Sequence, residues 1–119
     1  MMKENKVRAL LNSGRPGVST RMWSTWPGYL ESLGNIGKYD YFEFVAEYVP
    51  FTQEELANLA RTAELYDMGS MIKVDFMNRG YVAQRAIAAG FQSVLFSDHH
   101  TAAEVRETVN MVKPEGPGS

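Results

Sequence analysis

Along residues 17–113, short apolar runs alternate with longer segments whose apolar residues recur every three or four positions, which predicts strands alternating with helices. "GVSTRMW", "YFEFVAEY", "SMIKVDF" and "QSVLFSD" read as the strands. "WPGYLESLGNIG" predicts a helix with Pro27 near its first turn and Gly37 after its end. The strongest helical signal is "TQEELANLARTAELYDMG". Thr52 and Glu55 form a capping box there, and Leu56, Leu59, Ala60 and Ala63 follow i, i+3, i+4, i+7 before Gly69. "NRGYVAQRAIAAG" predicts a helix ending at Gly90. A second capping box, Thr101 with Glu104, opens "TAAEVRETVNMV", where Val105, Val109 and Val112 make an apolar stripe. An amphipathic helix is expected over residues 1–13, and 114–119 form a Pro/Gly-rich end suited to a cleavage or truncation point.

This order predicts α/β architecture around a parallel sheet. Periodicity leaves two forms open: a doubly wound sheet with helices on both faces, or half of an eight-stranded barrel. In either form the strand interiors are apolar and polar groups gather at the carboxyl ends, where ligands bind. The chain shows that distribution, with Arg21 on the first strand, Glu47 and Tyr48 on the second, Lys73 and Asp75 on the third, and Asp98, His99 and His100 on the fourth. Side chains alternate faces along a strand, so Tyr41, Glu43, Val45 and Glu47 share one side and Phe42, Phe44 and Ala46 the other. The aromatic side should meet helices. The acidic side would face a lumen, with Arg21 and Lys73 offsetting the desolvation of the glutamates. Each residue also has a plainer explanation. Lys73 and Asp75 can form internal ion pairs, His99 and His100 can be solvated loop residues, and Trp23 and Trp26 can be packing groups. Glu54 and Glu55 suit a helix first turn, and Tyr48 with Pro50 can simply end a strand.

Composition narrows the function. The 119 residues are 45% hydrophobic, enough for one domain, residues 1–119. A net charge of -2 with scattered Lys and Arg provides no footprint for nucleic acid. With no cysteine, neither a disulfide framework nor a thiolate metal site can form. The absence of a membrane-length apolar run and of a signal-peptide pattern leads to the expectation of a soluble cytoplasmic protein. There is no GxGxxG, Walker or GxSxG pattern, which demotes nucleotide binding and serine hydrolysis.

The segments "NKVRALLNSGRPGV", "YDYFEFVAEYVPFTQEELANLARTAE", "MIKVDF" and "AAGFQSVLFSDHHTAAEVRETVNMVKPEGPGS" together resemble the amino-terminal half of the HpcH/HpaI family, the metal-dependent class II pyruvate aldolases. The resemblance implies a (β/α)8 TIM barrel of about 250 residues, of which this chain supplies roughly the first four βα units. It also implies a homo-oligomer, a hexamer in the family, and reversible aldol cleavage in which a divalent Mg, Mn or Co ion chelates the 2-oxo acid, pyruvate, and stabilises its enolate. Glu47 and Pro50 match the family's E-H-A-P motif, while Tyr48 takes the histidine position and Lys73 the arginine position of the next strand. Val45 stands where aspartate is usual, and His100 where glutamine is.

The implied roles are orientation of metal-bound water by Glu47, proton or hydrogen-bond donation by Tyr48, enolate stabilisation by Lys73, and pocket lining by Arg21 and His100. Two of these differ chemically from the family's. A tyrosine is mostly a proton donor at neutral pH where a histidine can accept one, and lysine lacks arginine's planar fork. The family's metal ligands come from second-half strands, so none is expected in this chain. Two unpaired sheet edges would have to be covered by a second polypeptide, another copy, or further sequence. The expected function is therefore a divergent carbon-carbon lyase, or a related condensing enzyme, active once completed by a second half. The alternatives are a catalytically degenerate half that binds a ligand or acts as a scaffold, and an independent four-stranded α/β module.

Overall fold

A computed structural model describes residues 3–113. The Pro/Gly-rich end expected over 114–119, and the first two positions of the expected N-terminal helix, lie outside the described residues. The elements run α1 (Lys6–Ser13), β1 (Ser19–Met22), α2 (Pro27–Ile36), β2 (Tyr41–Val45), α3 (Gln53–Leu65), β3 (Gly69–Val74), α4 (Arg79–Ala89), β4 (Ser93–Phe96) and α5 (Ala102–Val112). No helix among the described residues is long and apolar enough to cross a membrane.

Local chemistry sets these boundaries. α1 starts at Lys6, later than the periodicity suggested, because the Asn5 side chain accepts from the Arg8 backbone N–H and caps it. At the start of α3, Thr52 Oγ1 accepts from the Glu55 N–H at 3.1 Å, and Glu55 Oε1 accepts from the Thr52 N–H at 2.8 Å. Glu55 Oε2 also accepts from the Thr25 hydroxyl at 2.8 Å, which ties the segment after β1 to α3. The Thr25 bond, then the Thr52 backbone bond, hold the Glu55 carboxyl below its ordinary pKa. Thr52→Ala should cost about 1 kcal/mol, read as a lower urea midpoint at unchanged slope. The second box, Thr101 with Glu104, forms as expected. Gly90 ends α4 at φ +113, and an added Cβ would lie 3.2 Å from Ala60 Cβ, so both backbone angle and packing favour glycine.

The strands form one parallel sheet in the order β1-β2-β3-β4. Met22, Phe42, Phe44, Ile72 and Val74 project from one face into a core with Leu30, Leu56, Leu59, Ala63 and Ala86. The aromatic side of β2 therefore meets the helices, as the alternation predicted. Strand order decides between the two forms left open. A doubly wound sheet reverses direction at a switch point, whereas here each strand pairs with the next and the connecting helices α2, α3 and α4 pack on one face. The result is the wall of a barrel, a half barrel of four βα units. Among the described residues, the outer edges of β1 and β4 have no strand partner.

Two expectations change. β2 ends at Val45, and residues 46–48 form a turn, so Glu47 and Tyr48 do not continue the strand's alternation. On α5 the residue buried is Thr108, 2% exposed, while Val105 and Val109 of the expected apolar stripe are 44% and 43% exposed. α5 turns Thr108 inward because Arg79, itself buried, requires an acceptor. Arg79 Nε donates to Thr108 Oγ1 at 2.6 Å, and an unpaired buried guanidinium would be costly.

Candidate functional site

The carboxyl ends of β1, β2 and β3 bring the first group of charged residues together. Val45 pairs in register with Lys73, so the turn following β2 passes above the Lys73 side chain. The Ala46 N–H donates to the Lys73 carbonyl at 3.0 Å, and the Tyr48 N–H to the Val45 carbonyl at 3.3 Å, which fixes that turn against β3. Glu47 is thereby delivered to Lys73, with Nζ donating to Oε1 at 2.5 Å. Both side chains are largely buried, and the Glu47 bond, opposed by burial, raises the Lys73 pKa above its ordinary value.

Tyr48 is exposed and stacks on Trp23, with ring centroids 5.3 Å apart and planes 13° from parallel. Lys73 Nζ lies 5.8 Å from the Tyr48 ring centroid, so the ammonium faces a carboxylate and borders an aromatic ring.

Arg21 and Glu43 face each other mid-strand, a layer below the strand ends, because their positions pair in register. Arg21 Nε is 3.3 Å from Glu43 Oε2, yet that buried oxygen accepts no hydrogen bond among the described residues. The contact is therefore a charge interaction without hydrogen-bond alignment. The guanidinium itself is mostly exposed on the open face of the sheet.

The remaining candidates lie elsewhere. Asp75 accepts from the Asn78 backbone and side-chain N–H groups and organises the entry to α4. His100 turns to the first turn of α5, where its backbone N–H donates to Glu104 Oε2 at 2.5 Å and its exposed ring stands 4.0 Å from the same oxygen. Those contacts, led by the His100 backbone bond, hold Glu104 below its ordinary pKa. His100 is not among the contact partners of Lys73, Glu47 or Tyr48. His99 packs against Phe76 and Phe96, and its Nε2 lies 2.8 Å from Thr108 Oγ1. The histidine doublet thus divides, one ring packed and one solvated.

One contributor was legible only in part and another not at all. Trp23 reads more readily as a packing group than as a ligand-stacking ring, and the tertiary contact with Tyr48 joins it to the second strand exit. Arg79 lay at the start of a predicted helix with nothing to single it out, yet it stacks on Phe76 at 4.1 Å and joins Thr108, the Phe76 carbonyl and Glu107. The Thr within the α5 valine stripe was the one available hint. No group of three or more His, Cys, Asp or Glu among the described residues could hold a metal ion. Glu47 is committed to Lys73, so these residues do not by themselves fit a divalent cation.

No protein-family model matches the sequence, and no curated protein does. Solved structures do. The chain is similar to citrate synthase SbnG, with a TM-score of 0.81 and 21% identity over 95% of this chain and 46% of that one. It is also similar to an HpcH/HpaI aldolase from Desulfitobacterium hafniense DCB-2, with a TM-score of 0.75 and 22% identity over 90% of this chain and 41% of that one. A third similar structure is an HpcH/HpaI aldolase/citrate lyase family protein from Burkholderia cenocepacia J2315, with a TM-score of 0.79 and 20% identity over 96% of this chain and 45% of that one. The chain spans less than half the length of these structures and shares the fold of that part of them.

Proposed function

We propose that this chain is the amino-terminal half of an HpcH/HpaI-type barrel which, once completed, acts as a carbon-carbon lyase or condensing enzyme on a 2-oxo acid such as pyruvate. The observation that carries this is the Lys73–Glu47 pair, delivered by the β2 turn to the carboxyl end of β3 and bordered by Tyr48. In α/β barrels that end carries the chemistry.

In aldol cleavage the aldol hydroxyl gives up its proton to water, the carbon–carbon bond breaks to release an aldehyde, and negative charge is left on the oxygen of a 2-oxo acid enolate. The Lys73 ammonium, kept protonated by Glu47, stabilises that charge by electrostatic attraction. The Tyr48 hydroxyl supplies the proton that returns the enolate to the keto acid, the role natural to a phenol at neutral pH. Glu47 fixes the position of Lys73 and can accept from a bound water. Arg21 adds positive charge on the same face, and His100 lines the outer rim. A divalent Mg, Mn or Co ion, when bound, would supply Lewis-acid activation of the 2-oxo acid. Because the described residues hold no ligand set for it, its ligands would come from the complementary half. Homo-oligomeric assembly and a cytoplasmic location accompany this proposal.

A second role is favoured by two observations. Lys73 is already neutralised by Glu47, and Tyr48 is already stacked on Trp23, as expected for a degenerate half that binds a ligand or acts as a scaffold. Proton exchange distinguishes the two. A completed, metal-loaded barrel in D2O should exchange the methyl protons of pyruvate, seen as loss of the methyl proton signal by NMR. No exchange above the protein-free rate would leave the binding or scaffold role.

A further inference from the structure

We infer that Trp23 and Tyr48 together form a second subsite, a stacking wall that takes the flat ring of an aromatic aldehyde acceptor. The inference rests on the proposed lyase or condensing function and names the acceptor class for it. The wall is built from two strand exits. Trp23 directly follows Met22 at the end of β1, and Tyr48 sits in the turn after β2. Neither ring belongs to the buried core cluster, and each exposes more than half its surface, 59% for Trp23 and 60% for Tyr48. Two large aromatics held together but outside a core present apolar surface that gains free energy when covered.

Their geometry suits a flat partner. The rings are nearly parallel at 5.3 Å, an offset stack that leaves outward-facing π surface for a third ring. Position links the wall to the chemistry, because Lys73 Nζ lies 5.8 Å from the Tyr48 ring centroid. An acceptor ring stacked on the wall would therefore lie at the same strand ends as the group proposed to stabilise the enolate. Charge does not drive the selection, since Lys73 is paired with Glu47 and the wall itself is uncharged. Trp26 provides the internal comparison. It is also exposed, but its indole lies over Gly28, where an added Cβ would come within 2.4 Å of the ring. Trp26 is thus committed to the first turn of α2.

The test compares benzaldehyde with acetaldehyde as acceptors for pyruvate in the completed, metal-loaded enzyme. Trp23→Leu should lower the benzaldehyde-to-acetaldehyde ratio of kcat/KM about tenfold relative to the parent protein, and Trp23→Phe should retain most of it. Trp26→Phe should leave the ratio unchanged. An unchanged ratio in Trp23→Leu, or an equal drop in Trp26→Phe, overturns the inference. A second measurement needs no catalysis. The chain has two tryptophans, so Trp26→Phe leaves Trp23 as the sole indole, and its emission can be titrated with benzamide and with acetamide. Saturable quenching by benzamide, about tenfold tighter than any effect of acetamide, supports the wall. Purely collisional quenching, or equal effects of the two amides, overturns it. If pyruvate proton exchange is absent while benzamide binds, the lyase proposal fails and the aromatic subsite stands. If exchange is present and the ratio does not respond, the subsite fails alone.

Discussion

Lys73→Met should lower turnover of the completed barrel by about 10²–10³-fold, the usual effect of deleting one preorganised group that stabilises an oxyanion. Stability should fall much less, by about 1–3 kcal/mol, as Glu47 loses its hydrogen-bond donor. The double variant Lys73→Met/Glu47→Gln separates the two effects. Removing the orphaned charge should recover part of the stability and none of the turnover, because the ammonium is what the enolate requires. Equal turnover in Lys73→Met and the parent would exclude Lys73 from the chemistry.

The pH dependence has a definite sign. Lys73 is raised in the folded protein by the Glu47 bond, so its contribution is fully present below the unfolded value near 10.5 and is lost as pH rises through the higher folded value. In Lys73→Met that alkaline component of the stability curve should disappear, as measured by urea midpoints across the alkaline range.

Phe44→Ala is expected to destabilise the chain by about 3–5 kcal/mol, the typical cost of removing a buried aromatic side chain and leaving a cavity. Phe44 is fully buried on the helix-facing side of β2 and meets Phe51 edge-on at 5.9 Å. Both strands flanking β2 depend on that face, so the space cannot collapse without moving the sheet against α3. In a domain of about 5–15 kcal/mol total stability such a loss leaves little reserve. Urea unfolding should show a large fall in midpoint at unchanged slope. Tyr48→Ala, which removes an exposed ring of similar size, should cost well under half as much. Comparable losses in the two variants would mean that Phe44 does not anchor the core.

The fold was legible where local chemistry and hydrophobic period agreed. In α3, the Thr52–Glu55 box and the buried Leu56, Leu59, Ala60 and Ala63 coincide with the sequence pattern. It was incomplete where a polar group elsewhere in the chain needed a partner. Val105 and Val109 read as an apolar stripe, yet the buried residue of α5 is Thr108, whose hydroxyl Arg79 needs. Part of the site was equally legible. Alternation put Glu43 opposite the aromatic side of β2, and it faces Arg21 there. The expected offset of Glu47 by Lys73 also forms, although it is the turn after Val45, where the Ala46 N–H donates to the Lys73 carbonyl, and not a continued strand that delivers Glu47.

By itself the sequence determined the βα order, the helix caps and the helix-facing side of the sheet, since each depends on residues within one turn or on a fixed period. Only the tertiary structure decided between a doubly wound sheet and a barrel wall, because that choice rests on which strands pair, and periodicity does not encode pairing. The same holds for the site. Lys73 and Glu47 are 26 residues apart, and Trp23 and Tyr48 come from different strand exits. They meet because adjacent parallel strands bring their carboxyl ends to one edge.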